Sequence, residues 1–511
     1  MNRYKSRNIE SAGKKLQAER ETEKSGIAKN QVVTTVIEDM SENGEGIGKV
    51  DGYTLFVKDA VVGDRAEVKI VKAKKSYGYA RLVKLLSPSA DRTVPVCPVA
   101  APCGGCQLQA MSYEAQLRFK ENKVKNHLER IGGFTDVQVL PIIGMEDPLH
   151  YRNKAQFPVS RDKDGNIRTG FYAGRTHSVI ETPHCYIGHP VNDRILALVK
   201  AYMEREGIQP YDENLHKGLV RHILIRQAAA TGQIMVCLII NGRKLPAADK
   251  LVRSLSEVEG MTTVGFNVNR ERTNVILGEK TVILYGPGYI TDRIGALSFR
   301  ISPQSFFQVN PVQTEKLYEK ALEFADLKGE ETVWDLYCGI GTISLFLAGK
   351  AKQVYGVEIV PQAIENAREN AELNRIENAS FFVGKAEEVL PEWYERQCGK
   401  ARQDKAKNEN GEKEVCECRD GKTCADVIIV DPPRKGCDQK LLDTIVRIKP
   451  ERLVYVSCNS ATLARDLNYL CREGFVLEKV QPVDMFAMTV GVETCVLLSH
   501  KSPDSVINVK V

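Results

Sequence analysis

The sequence predicts a multidomain protein with a small N-terminal β-barrel, an α+β central domain and a C-terminal doubly wound α/β sheet. Three observations lead there. At 511 residues the chain exceeds one ordinary core. Residues 31–87 alternate short apolar runs with glycines, the pattern of a small antiparallel barrel. From Phe307 onward helical and strand periods alternate, which indicates βα units and a mostly parallel sheet.

Residues 1–28 are polar, mixed in charge and aperiodic, the composition of a flexible tail. The barrel occupies residues 29–88, with Gly44, Gly46, Gly48, Gly52 and Gly63 punctuating its strands. Lys72, Lys74, Lys75, Tyr77 and Tyr79 bring cations and rings into one segment, a mixture suited to phosphate contact and base stacking; packing is the plainer reading of a ring on a strand. The central domain, residues 89–300, shows helical periods at 115–131 and 191–206 and strand pairs at 221–240 and 262–275. In the C-terminal domain, residues 301–511, strands are expected at 332–337, 353–359, 380–383, 427–430, 453–457, 475–480 and 494–498. Residues 396–425 interrupt that pattern as an exposed insertion, whose Cys416, Cys418 and Cys424 have no fourth zinc ligand at sensible spacing.

Composition narrows the function. No run of about 18 apolar residues occurs and the N-terminus lacks an apolar stretch, so neither a membrane span nor an export signal is expected, and a cytoplasmic protein is. Residues 1–90 hold 17 Lys/Arg against 12 Asp/Glu, an excess equal to the +5 of the whole chain, so the basic bias that attracts a polyanion sits at the front. Fourteen cysteines without an export signal argue for metal or catalytic use of some of them rather than a disulfide framework.

Three motifs carry chemistry. Residues 335–342, Asp-Leu-Tyr-Cys-Gly-Ile-Gly-Thr, end one strand and open a helix, and Glu358 follows at the end of the next strand, where a carboxylate can accept both ribose hydroxyls. Ser344 stands where a dinucleotide site has its third glycine, which favours S-adenosylmethionine. Cys97, Cys103 and Cys106 lie in a rigid Pro/Gly loop, with Cys185 as the best fourth ligand; an iron–sulfur cluster and zinc compete for this set. Asp431-Pro432-Pro433-Arg434-Lys435-Gly436 and Ser457-Cys458-Asn459 each follow a strand, and Glu493 opens a later one. A thiol and two carboxylates on one sheet rim suit addition and proton removal, against the plainer reading of a buried core cysteine.

Together with Ser305-Phe306-Phe307-Gln308-Val309-Asn310 and Tyr455 to Thr462, these strings resemble the RNA uracil-5-methyltransferases over about residues 30 to 500. The barrel is similar to their TRAM (OB-like) domain, and the C-terminal part to their class I, Rossmann-like methyltransferase domain. The resemblance implies that Gln308, Tyr337, Glu358 and Asp431 contact S-adenosylmethionine, that Cys458 is the nucleophile and Glu493 the general base, and that Cys97, Cys103, Cys106 and Cys185 hold a [4Fe-4S] cluster. It further implies a monomer that methylates a uridine in 23S ribosomal RNA. Transfer RNA is the alternative substrate and a non-catalytic RNA-binding scaffold the alternative class. Ala487, Gly491 and Ser460 depart from the family's usual Pro, His and Pro.

Overall fold

The structure, a computed structural model, describes residues 27–404 and 425–500. The expected tail up to residue 26 and most of the expected insertion, with Cys416, Cys418 and Cys424, lie outside the described residues. The chain divides into two compact units: residues up to Phe119 with Tyr172–Ile180 and Ala487–Val490, and the remainder.

In the first unit β1 (Val32–Met40), β2 (Gly46–Val50), β3 (Tyr53–Lys58), β4 (Arg65–Ala73) and β5 (Tyr77–Ser87) close a barrel in the order β1-β2-β3-β5-β4. Alternation sends Tyr53, Leu55, Val57, Val68 and Ile70 inward and leaves their neighbours outside. At Gly48 a Cβ would lie 2.5 Å from Thr35 Oγ1, so only glycine lets β1 and β2 approach this closely. Asp64, fully buried, accepts from Val61 N and Ser89 N and pairs with Arg92, which ties the barrel to the segment that follows.

The second unit begins in helix α1 (Tyr113–His127). Its first sheet is built from β6 (Lys154–Arg161), β7 (Ile167–Tyr172), β9 (Val220–Gln227), β10 (Ile234–Ile240), β11 (Met261–Val268) and β12 (Lys280–Tyr285), in the order β12-β11-β10-β9-β6-β7; β8 (Val179–Glu181) is short. Helices α2 (Val191–Arg205) and α3 (Ala248–Ser256) pack Ile195, Val199, Tyr202, Leu251 and Leu255 into its core. The antiparallel pair β9/β10 lies within the expected span 221–240 but for Val220. The second expected pair, 262–275, is corrected: β11 pairs with β12, and 269–279 connects them. Those loop carbonyls are taken by side chains instead of a ladder, Arg221 bonding the oxygens of Asn269, Glu271 and Thr273, and Asn269 Nδ2 those of Val275 and Ile276.

After the hairpin β13 (Ile290–Ile294) and β14 (Leu297–Ile301) comes helix α4 (Pro311–Ala325), then β15 (Thr332–Leu336), α5 (Thr342–Ala348), β16 (Gln353–Glu358), α6 (Pro361–Leu373), β17 (Ala379–Val383) and α7 (Ala386–Asp404). The chain continues through β18 (Val427–Val430), α8 (Gln439–Ile448), β19 (Arg452–Ser457), α9 (Ser460–Arg472), β20 (Phe475–Val483) and β21 (Glu493–His500). The sheet order is β17-β16-β15-β18-β19-β21-β20, parallel throughout except for β21, antiparallel to both neighbours. All seven expected strands are present. Helix α7 runs past residue 396, where the insertion was expected to begin. Strand order reverses between β15 and β18, and the loops leaving these two strands open the crevice where such sheets bind ligands.

Candidate active site

The turn after β15 is built on three left-handed residues, Tyr337 (φ 71°), Gly339 (φ 56°) and Gly341 (φ 81°). For a tyrosine that conformation is strained, and it is held by bonds from Tyr337 N and Cys338 N to Val357 O at 2.9 and 3.0 Å. Glu358 braces the turn from β16, accepting Gly339 N at 3.3 Å and Val360 N at 3.0 Å. Gly341 suits the left-handed turn, which strains any other residue, and a Cβ there would also sit tightly, 3.2 Å from Ala367 and the Phe381 ring. Ser344, fully buried, donates its hydroxyl to Asp335 Oδ2, whereas Asp335 Oδ1 is buried with no partner. Burial, then Glu358, pushes the Asp335 carboxyl up to about 6. An orphaned acceptor beside an open glycine turn and a strand-end carboxylate fits a cationic nucleoside ligand such as S-adenosylmethionine.

The two loops on the other side are locked together by α9. Asn459 caps that helix by accepting Ala461 N, and its Nδ2 and the Thr462 hydroxyl both donate to Arg434 O at 3.1 Å. Arg465 holds Lys435 O at 3.0 Å, and Asp466 accepts Cys437 N and the Tyr455 hydroxyl. Gly436 (φ 81°) has Asp466 Oδ2 only 2.5 Å from where a Cβ would be. The 431–436 loop is thus fixed beside Cys458, which is half-buried at the end of β19.

Electrostatics show which groups converge. Burial raises the Cys458 thiol, Glu493 and Asp431 raise it further, and the Arg434 guanidinium opposes them. Glu493, almost fully buried, is raised by burial and by Asp431, with Arg434 again opposing. Asp431 is raised by burial and by Asp335. The buried Tyr318 hydroxyl, 2.8 Å from Thr342 Oγ1, is influenced by Asp431, Asp335 and Glu493 in turn. Cys458, Glu493 and Asp431 therefore share one rim with Arg434, Asp335 and Tyr318. Sequence reasoning had not assigned a role to these last three. A cation three positions after Asp431 at the strand end was a usable signal for Arg434; nothing local pointed to Tyr318.

Gln308 is buried, and its carbonyl accepts Asn153 Nδ2 at 3.0 Å. Two residues on, Asn310 caps α4 and reaches Met485 O. The approach to Glu493 is pinned by a fully buried ion pair, Lys120 Nζ to Asp484 Oδ1 at 2.6 Å, with Lys120 also on Phe486 O. Of the departures from the family pattern, Ala487 is fully buried, Ser460 bonds His127 Nδ1 at 2.8 Å, and a Cβ on Gly491 would lie 3.0 Å from Phe486 Cδ2.

In the first unit Cys97 and Cys103 are buried, Gly105 N donates to Cys103 Sγ at 3.4 Å, and Cys97 helps to raise the Cys103 thiol after burial. Cys106 belongs to the same loop and Cys185 to the second unit. Among the described residues no three His, Cys, Asp or Glu side chains are gathered as a metal centre requires. On the barrel surface Phe56, Tyr77 and Tyr79 form a ring cluster with centroids 5.6 to 5.8 Å apart, and Arg175 lies 5.5 Å over Tyr79. Exposed Lys72, Lys74 and Lys75 flank it in sequence.

Residues 112–501 match the family described as tRNA (Uracil-5-)-methyltransferase, and residues 28–83 match the TRAM domain. An uncharacterised RNA methyltransferase of Halalkalibacterium halodurans is 49% identical over 93% of this chain and 98% of its own. Another, from Clostridium tetani, is 46% identical over 93% and 97%. The crystal structure of Pyrococcus abyssi tRNA (uracil-54, C5)-methyltransferase with S-adenosyl-L-homocysteine superposes with a TM-score of 0.69 and 27% identity, covering 91% of this chain and all of that one.

Proposed function

The chain belongs to the tRNA (uracil-5-)-methyltransferase family and is a SAM-dependent RNA uracil-5-methyltransferase, and from that premise we propose that it methylates C5 of a uridine in 23S ribosomal RNA through a covalent adduct at Cys458. The observation that carries the adduct is the half-buried Cys458 sulfur at the end of β19, beside the 431–436 loop that α9 holds and within the fields of Glu493, Asp431 and Arg434.

C5 of uracil is a poor nucleophile. Arg434 steadies the thiolate, whose proton leaves to water, and the sulfur adds to C6, which places electron density on C5. S-adenosylmethionine, held by Tyr337, Glu358, Asp431 and Gln308, supplies an electrophilic methyl group. Glu493 then takes the C5 proton; the C–H pair closes the C5–C6 double bond, and the thiolate leaves Cys458 free. A carboxylate raised by burial is a better base than a solvated one, which suits Glu493 to this step. The uridine has to leave any stack to expose both faces of its ring. The barrel's rings and lysines are the proposed contact for unpaired RNA around it. The four cysteines, as ligands of a [4Fe-4S] cluster, have a structural role in this reading, checked by iron and acid-labile sulfide in protein purified without oxygen; no step passes through it.

Mixing the protein with S-adenosylmethionine and RNA containing 5-fluorouridine tests the adduct. A crosslink that survives denaturing gels and disappears in Cys458→Ala is expected, and Glu493→Gln should trap an adduct on ordinary RNA. Free 5-methyluridine formed at the normal rate by Glu493→Gln would overturn the base assignment. Transfer RNA is the second reading, favoured by the Pyrococcus abyssi enzyme, a tRNA (uracil-54, C5)-methyltransferase. Mapping 5-methyluridine in both RNA classes from cells with and without the protein decides between them.

A further inference from the structure

We infer that Arg152, Lys154 and Arg226 form a site for one backbone phosphate of the RNA beside the reacting uridine, an inference that rests on the activity proposed above.

The register of the central sheet puts these cations together. Lys154 on β6 is the direct antiparallel partner of Arg226 on β9, so both side chains stand on one face. Like charges directly opposite destabilise a sheet, and burying them costs more. Arg226 is almost fully buried; it donates one bond to Ser305 O, and its Nε has no partner. The Nε of Arg152 is likewise buried and unpartnered. Among the described residues no carboxylate acts on Lys154: burial, then Arg226 and Arg152, all push its ammonium in one direction, down to about 7. Buried charge without a counter-charge persists where a ligand supplies the missing one.

Asn153, between Arg152 and Lys154 where the chain enters β6, donates its N–H to Val309 O at 2.9 Å and its Nδ2 to Gln308 O at 3.0 Å. The cluster is therefore fastened to the segment carrying Gln308. A phosphodiester offers two anionic oxygens to guanidinium forks and an ammonium, and each reacting uridine brings one on either side. The cofactor's amino-acid end is a poorer occupant, because its carboxylate arrives with an ammonium that would add a fourth cation.

The experiment measures RNA affinity across a salt series in the Cys458→Ala background, with a short RNA carrying the mapped uridine. Lys154→Met is expected to weaken binding roughly 10- to 100-fold, to lower the log–log salt slope by about one, and to leave S-adenosylhomocysteine affinity unchanged. Arg152→Gln should act in the same direction and serves should Lys154→Met fail to fold. Methylphosphonates flanking the uridine should bring the unsubstituted site down to the Lys154→Met level without weakening Lys154→Met further. Unchanged RNA affinity and slope in a folded variant would overturn the inference. So would methylphosphonates that weaken both proteins equally, or a loss confined to S-adenosylhomocysteine. Failure of the methylation reading is distinct: the wild-type protein then yields neither 5-methyluridine nor a fluorouridine crosslink.

Discussion

Two clusters of like charge in the second unit are opposite in kind. At the rim of the C-terminal sheet burial raises the carboxyls of Asp335, Asp431 and Glu493, and a neighbouring carboxylate raises each further, Glu358 acting on Asp335, Asp335 on Asp431 and Asp431 on Glu493, with Arg434 as a cation among them. In the central sheet Arg152, Lys154 and Arg226 gather with no carboxylate acting on Lys154. Folding alone would remove both clusters, since buried like charges oppose the compact state. The difference lies in what each awaits. The acidic rim needs proton acceptors held near neutrality and a cationic methyl donor, whereas the basic face needs an anion.

The largest expected break in this contrast comes from taking the cation out of the acidic rim. Arg434 is the group that lowers the Cys458 thiol against burial, Glu493 and Asp431. Without it the thiol rises further, so less thiolate exists at neutral pH. Arg434→Gln should lower kcat/KM about 10- to 100-fold at pH 7 and recover part of the loss toward pH 9, as the acid limb of the profile moves up. An acid limb left in place would show that Arg434 does not govern the thiol.

The contrast is sharpened by stability, where the two clusters should respond to pH with opposite sign. Asp335 moves from 3.8 up to about 6 on folding, so its charged form burdens the native state increasingly as pH rises through that window. Lys154 moves from 10.5 down to about 7, so its charged form burdens the native state increasingly as pH falls through that window. Asp335→Asn should therefore stabilise the protein by about 1–3 kcal/mol at pH 7.5, a gain that vanishes toward about pH 4. Lys154→Met should stabilise by a similar or smaller amount near pH 7, since solvent reaches part of the side chain, and its gain should vanish toward about pH 10. Calorimetry across pH reads both; gains that follow the same pH direction would mean the clusters are not what sets them.

The acidic rim was largely legible in the sequence and the basic face was not. Cys458, Asp431 and Glu358 stand at strand ends within recognisable strings, so local period and turn chemistry sufficed to place them. Arg152 and Lys154 are separated from Arg226 by more than a whole helix and several strands, and only the β6–β9 register joins them. The strand pair misplaced at 262–275 fails for a related reason. Its loop satisfies its carbonyls through Arg221, a side chain far along the chain that no local pattern announces. Cys97, Cys103 and Cys106 were legible as one loop, but spacing alone could not show a gathered metal centre.

The smallest expected effect concerns Ser460, the first helical residue of α9, directly after the nucleophile's Asn459 cap. Proline is well suited to that position, because the N–H it removes has no intrahelical acceptor and its fixed φ already matches the helix. Ser460→Pro gives up one buried bond to His127 Nδ1, worth about 1 kcal/mol, and gains a comparable amount by restricting the unfolded chain. Net stability should shift by less than about 1 kcal/mol and fluorouridine crosslinking by less than about twofold, as seen by thermal unfolding and gel quantitation. A large loss would instead mean that the serine–histidine bond positions Cys458, and that the acidic rim depends on α1 for its geometry.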